Sequence, residues 1–455
     1  MKKILSVILY TIFFGFAAVL FVSCIILIVK TANRNVKQYN DLEAVMIDDR
    51  EGTDNGNYAV IGAEVSSQSP KGYRDIQLKY GYQALDTANK QDLYDRIEKN
   101  IYSVSEDMDD NGHYRLARLK IIGEKMSEFD IREVMNAYLY DNPQVFWLEN
   151  LFGYAYAGED TIVEFYSELS AEECEDCIAL FNKKVDEIVA AVDSGLSEYE
   201  REKIVHDKVL DGCVYKKGVE SSKDGWQYFS AYGALVTGEA VCEGYAKSMQ
   251  IILSKVGIPC LTIRGEADGI LHMWNVVELN DEWYHLDPTW DDNDKDGKII
   301  YEYFNLSTEN ISQSHKINQD IMNGLLFAEN REKIGTIRYN FFVPMCVSMN
   351  MNYYMQEGVQ IEKFDTETDQ KVINAFVKRV RDGENYFPLR FGTEMSYREY
   401  IDKLFYEAPY KYYYYVDHAN EILDKQNRIS KDSISVLTNE NNLTLRIRIR
   451  TGESA

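Results

Sequence analysis

Proline is scarce in this chain of 455 residues: there are 7, against 27 glycines and 45% hydrophobic residues. So little proline beside that much apolar content excludes a low-complexity or disordered polymer and predicts a folded protein. Basic residues are also in deficit. The 49 Lys and Arg face 74 Asp and Glu, for a formal net charge of −25, which argues against a nucleic acid or an anionic membrane surface as partner. Paired metal-ligand motifs are missing. Cys174-x-x-Cys177 has no second Cys pair or His pair with it, and both cysteines fall on an apolar stripe with Phe181, Val185, Ile188 and Val192, so they read as core. No segment repeats at a fixed period, and the 34 tyrosines are scattered. The length leaves room for two or three domains.

Charge is absent from one long stretch. Between Lys3 and Lys30, residues 4–29 are uncharged and almost entirely apolar, long enough to span a bilayer and longer than the core of a cleaved signal peptide. The expectation is a transmembrane signal anchor over residues 1–30. A polar linker rich in Asp, Asn, Gly and Ser then occupies 31–75. Mixed helix and strand signals over 76–195 predict an N-terminal α+β region. Ser170 with Glu173 forms a capping box that starts a helix there, and Ser197 with Glu200 forms another at the start of the core that follows. A catalytic core is expected over 196–318, and a separate α+β module over 319–455. In that module 343–349, YKYYYYV, SISVL and LTLRIRIR read as strands, and Ser396 with Glu399 reads as a helix cap. The last strand is expected to bury Leu443, Leu445, Ile447 and Ile449 and to turn Arg446, Arg448 and Arg450 outward.

The chemistry concentrates between Ala240 and Trp290. Cys242 stands where a helix should begin, with Tyr245, Met249, Ile252, Leu253 and Val256 at helical spacing behind it and Gly257 as the stop. A thiol at a helix N-terminus meets the positive end of the dipole, which favours the nucleophilic thiolate. His272 opens the strand MWNVVEL, Asn280-Asp281 makes a two-residue turn, and EWYHLD returns. With that turn, position 272 pairs with 289, and His272 and Asp287 become diagonal neighbours on one face. Cysteine, histidine and carboxylate are a nucleophile, its base and the group that orients the base. His285 is a rival base, sharing a face with Asp287 by alternation along its own strand.

The string Cys242, Gly244-Tyr245-Ala246, His272, Trp274-Asn275, Trp283-Tyr284 and Asp287-Pro288-Thr289-Trp290 resembles the transglutaminase-like superfamily. The resemblance is densest from Lys203 to His315. It implies an α+β, papain-like cysteine hydrolase core in which Cys242, His272 and Asp287 form a catalytic triad. Its membrane-anchored bacterial members imply a cell-membrane protein, single-pass, with the catalytic part outside the cytoplasm. His206-Asp207 and Tyr215 resemble residues that precede the core in relatives, and read as support for the cleft wall. His315 resembles a histidine that closes the domain, with a structural role. Acyl transfer also needs an oxyanion hole. The Cys242 backbone N–H is its first donor, and Trp226, Gln227 or Tyr228 is the second.

The reaction expected is attack of the Cys242 thiolate on a peptide or protein amide, giving a thioester that passes to water or to an amine. Hydrolysis, as a protease or amidase, is the expectation. Protein-glutamine cross-linking and a non-catalytic scaffold are the alternatives. No cofactor is required. Asp292, Asp294 and Asp296, followed by Gly297, imitate the start of a calcium loop, but its twelfth position is Tyr303 rather than Glu, so a solvated acidic loop is the expectation and calcium the alternative.

Overall fold

The computed structural model describes residues 43–46, 58–66, 69–74, 76, 78–109, 112–219, 225–293, 298–317, 342–431 and 434–452. The expected anchor at 4–29 lies outside them. Among the described residues no helix is long and apolar enough to cross a membrane. Two compact units are distinguished: residues 1–278, 287–299 and 314–344, and residues 279–286, 300–313 and 345–455.

The first unit opens with strands inside the stretch expected to be linker. β1 (Glu43–Met46) joins a sheet of order β1-β5-β6-β4, with β4 at Tyr114–Ile121, β5 at Leu148–Ala157 and β6 at Asp160–Ser167. β2 (Tyr58–Val60) pairs with β3 (Ser103–Ser105). Helices α1 (Tyr80–Ala84), α2 (Ala88–Asn100), α3 (Glu128–Asp141), α4 (Ala171–Ala190) and α5 (Glu198–Asp211) accompany these strands. Reciprocal capping boxes start α3 at Ser127, α4 at Ser170 and α5 at Ser197, each satisfying two otherwise orphaned N–H groups. Along α4, Cys174, Phe181, Val185 and Ile188 are buried while Cys177 is half-buried. The pair is thus packing, and burial pushes the Cys174 thiol up to about 12.

The part of this unit that positions the chemistry begins at β7 (Val214–Tyr215), which runs parallel to β8 (Glu239–Ala240). α6 (Cys242–Lys255) follows, with Tyr245, Met249, Ile252 and Leu253 buried as the 3.6-residue period requires. Gly257 ends it at φ +80°, the left-handed conformation a glycine adopts without steric cost. β9 (Cys260–Ala267) then lies between β10 (Ile270–Leu279) and β14 (His315–Ile317), antiparallel to both. Asn275 ties this ladder to α6: its amide donates to the Ala246 carbonyl at 2.9 Å and to the Leu261 carbonyl at 3.3 Å. A short helix, α7 (Pro288–Asp291), completes the arrangement, with β12 (Asp292–Asn293) and β13 (Lys298–Ile299) after it.

The second unit includes β11 (Glu282–Leu286) and the short helices α8 (Thr308–Ile311) and α9 (Tyr353–Gln356). Its sheet has the order β15 (Val359–Ile361), β16 (Tyr386–Phe391), β18 (Thr444–Arg448), β17 (Ser435–Asn439). α10 (Thr366–Arg381), α11 (Glu394–Ile401) and α12 (Lys411–Ile422) share its core, where the Phe376 and Phe387 rings stack at 4.0 Å. Three expectations fail here. YKYYYYV is part of α12, because Tyr412, Tyr415, Val416 and Ala419 are buried at i, i+3, i+4 and i+7 while Tyr413 and Tyr414 face solvent. Residues 343–349 form no strand. α11 is capped by Thr393 with Ser396, not by Ser396 with Glu399. On β18 the alternation holds only in part. Arg446 is buried, with its guanidinium 3.8 Å from the Tyr386 ring centroid, so a cation–π stack removes it from the expected basic outer face.

Candidate active site

Cys242 is the first residue of α6, and Val241 before it offers no side-chain cap. Its thiol is buried beside Ala246, Met273 and Tyr215. The first turn of α6 passes close to other backbone, and glycine makes this passage possible. A Cβ on Gly244 would lie 2.6 Å from the Ala240 Cβ and 2.7 Å from the Ser230 carbonyl oxygen.

His272 sits on β10 opposite Gly265 of β9. A Cβ at 265 would collide with the Lys316 carbonyl oxygen at 2.2 Å and the Trp274 ring at 2.9 Å, so glycine again sets the spacing. The His272 Nε2–H donates to Asp287 Oδ2 at 2.7 Å, and the ring also hydrogen-bonds the Cys242 thiol. Burial alone would depress the imidazole. The charges of Asp287 and Cys242, with their hydrogen bonds, override it and raise the group to about 10.

Asp287 departs from the expected strand position. β11 ends at Leu286, and Asp287 is instead the N-cap of α7. The 272–289 pairing therefore does not form, because Thr289 is already helical. The aspartate reaches His272 from a strand-to-helix junction. Its Oδ1 accepts the Thr289 and Trp290 N–H groups at 2.9 and 3.1 Å, as an N-cap carboxylate does. Its Oδ2 accepts His272 and, at 2.8 Å, the Nε2–H of His315. The carboxylate is 0% exposed. Burial by itself raises such a group, but the charge of His272 and the hydrogen bonds from both imidazoles hold it well below the usual carboxylate range.

His272, Asp287 and His315 also form the one group among the described residues whose ligand atoms could converge on a metal, all within 4.8 Å of one another. Their present separations of 2.7 and 2.8 Å are those of charge-assisted hydrogen bonds. In the acidic loop that imitates a calcium site, Asp292 Oδ2 accepts the Tyr245 hydroxyl at 2.6 Å, and Asp294 and Asp296 lie outside the described residues. Glu302 is buried in the second unit and accepts from Tyr354, Asn439 and Thr444.

The rival His285 belongs to the second unit, where its Nε2 meets the Thr308 hydroxyl at 3.2 Å. Of the oxyanion candidates, Trp226 stacks on Phe146 at 5.5 Å and Tyr228 carries the Lys216 ammonium 4.8 Å from its ring centroid. The Gln227 amide lies 3.0 Å from where a Cβ on Gly225 would stand. None of these contacts assigns the second donor. Two features were not foreseen. One is the double use of Asp287 Oδ2, since His315 read only as a structural residue. The other is Asp291, at the end of α7, whose Oδ2 is 3.4 Å from Nε2 of His206. Both groups are 0% exposed. A helix over 287–291 puts Asp291 one turn from Asp287 on the same face, but its partner on α5 leaves no sign in that spacing.

The family model described as the transglutaminase-like superfamily matches residues 186–288. The matched segment combines helices and strands, α5, α6, β9 and β10 among them, in keeping with the α+β expectation. Among curated proteins none matches the chain. Solved structures share little with it. A structure described as a TGase is 13% identical with a TM-score of 0.24, covering 41% of this chain and 54% of that one. A proposed cysteine protease from Cytophaga hutchinsonii is 10% identical with a TM-score of 0.20, covering 42% and 71%. A proposed protease from Parabacteroides distasonis is 11% identical with a TM-score of 0.18, covering 30% and 35%. The chain thus spans about half the length of the TGase it matches.

Proposed function

We propose that this protein is a cysteine acyl-transfer enzyme acting on peptide or protein amides, anchored to the membrane through residues 4–29 with its catalytic part outside the cytoplasm. The observation that carries the reading is the chain of contacts from Cys242 through His272 to the buried Asp287. In the reaction, the Cys242 thiolate forms a bond to the carbonyl carbon of the amide, and the tetrahedral oxyanion is met by the Cys242 backbone N–H. His272, charged as imidazolium, gives its proton to the departing nitrogen as the C–N bond breaks. Water, deprotonated by the now neutral imidazole, attacks the thioester, expels the thiolate and restores the imidazolium. Asp287 fixes the ring so that Nδ1 faces the thiol while Nε2–H stays on the carboxylate. A primary amine in place of water would make the same enzyme a cross-linker, and no calcium is needed for either outcome.

The test uses the full chain with casein as amide donor and monodansylcadaverine as amine acceptor. New N-termini or released ammonia without dansyl incorporation is the expected result. Incorporation in preference to hydrolysis would move the assignment to a transglutaminase. No product in either channel, with a Cys242 that iodoacetamide labels no faster than Cys177 below pH 7, would refute an enzyme and leave a scaffold.

A further inference from the structure

The family model's match stops at residue 288, yet a second imidazole reaches the acid from beyond it. His315 is the first residue of β14, which flanks β9 on the side away from β10. His272 pairs with Gly265 on one side of β9, and His315 pairs with Ala267 on the other. The two neighbours of one central strand therefore each deliver a histidine to the same carboxylate oxygen. The ionised carboxylate only accepts hydrogen bonds, so both Nε2 atoms, at 2.7 and 2.8 Å from Oδ2, must carry protons. The second nitrogen of His315 is committed as well, with Nδ1 2.8 Å from the Ser314 hydroxyl. The ring is fixed edge-on between Trp290, at 4.6 Å, and Trp274, at 5.1 Å.

Resting on the acyl-transfer reading above, we propose that His315 is a positioning residue for the reaction: it anchors Asp287 Oδ2 so that the carboxylate holds His272 in line with Cys242. The geometry gives it two effects. Oδ1 is already fastened by two backbone N–H groups, and His315 fastens the other oxygen, removing the last rotation of the carboxylate. By sharing Oδ2, His315 also draws off part of the negative charge that would otherwise stabilise the imidazolium of His272. A residue that only filled space between Trp274 and Trp290 would have the first contacts but neither effect.

The test compares full-length wild type, His315→Phe and His315→Gln. Phe keeps the ring between the tryptophans without a donor, and Gln supplies an amide N–H within reach of Oδ2. Two probes are used: alkylation of Cys242 by iodoacetamide across pH, and steady-state hydrolysis of p-nitrophenyl acetate. Turnover of His315→Phe should fall roughly 10- to 100-fold, the range for losing an outer partner of a site, with KM within about twofold. Its basic alkylation limb, where His272 loses its proton, should move up by about half a pH unit, part of the worth of one hydrogen bond to a carboxylate. His315→Gln should recover most of both. A His315→Phe variant with the wild-type limb and turnover overturns the proposal. So does an equal loss in Phe and Gln with an unmoved limb, which marks a packing role, or a limb that moves down. A wild-type Cys242 without selective alkylation, or alkylation indifferent to His272→Ala, would instead remove the acyl-transfer reading and this proposal with it.

Discussion

The buried His206–Asp291 pair makes a stability prediction with a definite sign. His206 is on α5, 0% exposed, with Nδ1 3.1 Å from Asp207 Oδ1 and Nε2 3.4 Å from Asp291 Oδ2. Burial alone would keep the ring neutral. The Asp207 hydrogen bond and the charges of both aspartates outweigh it and raise the group from 6.5 to about 9. A raised folded value means stability that is complete below about pH 6.5 and is lost as pH climbs through about 9. The difference corresponds to about 3 kcal/mol, and little of it is discounted for solvent because neither His206 nor Asp291 touches water. The perturbation is His206→Gln, which keeps polar contacts but cannot charge. Urea unfolding followed by tryptophan fluorescence reports mainly on the right unit, since Trp147, Trp226, Trp274 and Trp290 lie in the first and only Trp283 in the second. Wild-type stability should drop by about 3 kcal/mol more than that of the variant between pH 6.5 and 10. His272, also raised, loses stability in the same window, but it is present in both proteins and cancels in the comparison. Parallel curves, within about 1 kcal/mol, would refute a charged His206 and leave Asp291 without its counter-ion.

Two further substitutions separate chemistry from folding. Asp287→Asn should preserve α7, because asparagine caps a helix as well as aspartate does. It should still lower turnover on the order of 10³- to 10⁴-fold, the scale at which losing this acid's charge and tautomer control is felt, and move the basic limb of Cys242 alkylation down as His272 loses its largest favourable charge. Activity within tenfold of wild type would exclude Asp287 as the orienting acid. Gly244→Ala inverts the usual rule that alanine stabilises a helix interior. The added Cβ meets the Ser230 carbonyl at 2.7 Å and the Ala240 Cβ at 2.6 Å, so the thermal midpoint should fall, by an amount equivalent to about 1–3 kcal/mol. A midpoint that rises would show that the start of α6 is not fixed by this contact.

Much of the site was legible because its signals are local. A helix with Cys242 at its first position follows from the apolar spacing behind it and Gly257 beyond it. The capping boxes at Ser170 and Ser197 were readable for the same reason, being completed within four residues. The Asn280-Asp281 turn also follows from local chemistry, and both residues adopt positive φ, 50° and 64°, as a two-residue hairpin turn demands. What escaped the sequence depends on distant partners. Asp287 ends a strand and begins a helix, and the proline after it, at the first helical position, was the available sign of that change. His315 meets Asp287 only through β9, which brings position 315 beside 267 and position 272 beside 265. The tyrosine run in α12 misled because aromatic enrichment favours a strand reading, whereas the burial of Tyr412 and Tyr415 is decided by distant helical partners, Phe376 of α10 and Tyr400 of α11. Arg446 misled because alternation predicts which way a side chain leaves the backbone, not whether aromatic rings cover it.

The energetics of this region also bear on why it is built so. Five ionisable side chains, His206, His272, Asp287, Asp291 and His315, are buried around a helix of four residues. Each loses its hydration on folding, and pairing returns only part of that cost. Well-packed apolar side chains in the same volume are often as stabilising, or more so. Core stability therefore gives no reason for the cluster. Its members are not interchangeable either. One oxygen of Asp287 serves the backbone of α7 and the other serves two imidazoles, so the helix start and the proton chemistry share a single side chain. Asp291, one turn on, fastens the same helix to α5 through His206. A helix this short has too few internal hydrogen bonds to hold its own direction. The two buried pairs supply that direction, and with it the angle at which Asp287 presents itself to His272. Polar burial that is expensive to keep, and that converges on a histidine touching a cysteine at a helix start, is what the proposed acyl transfer would require.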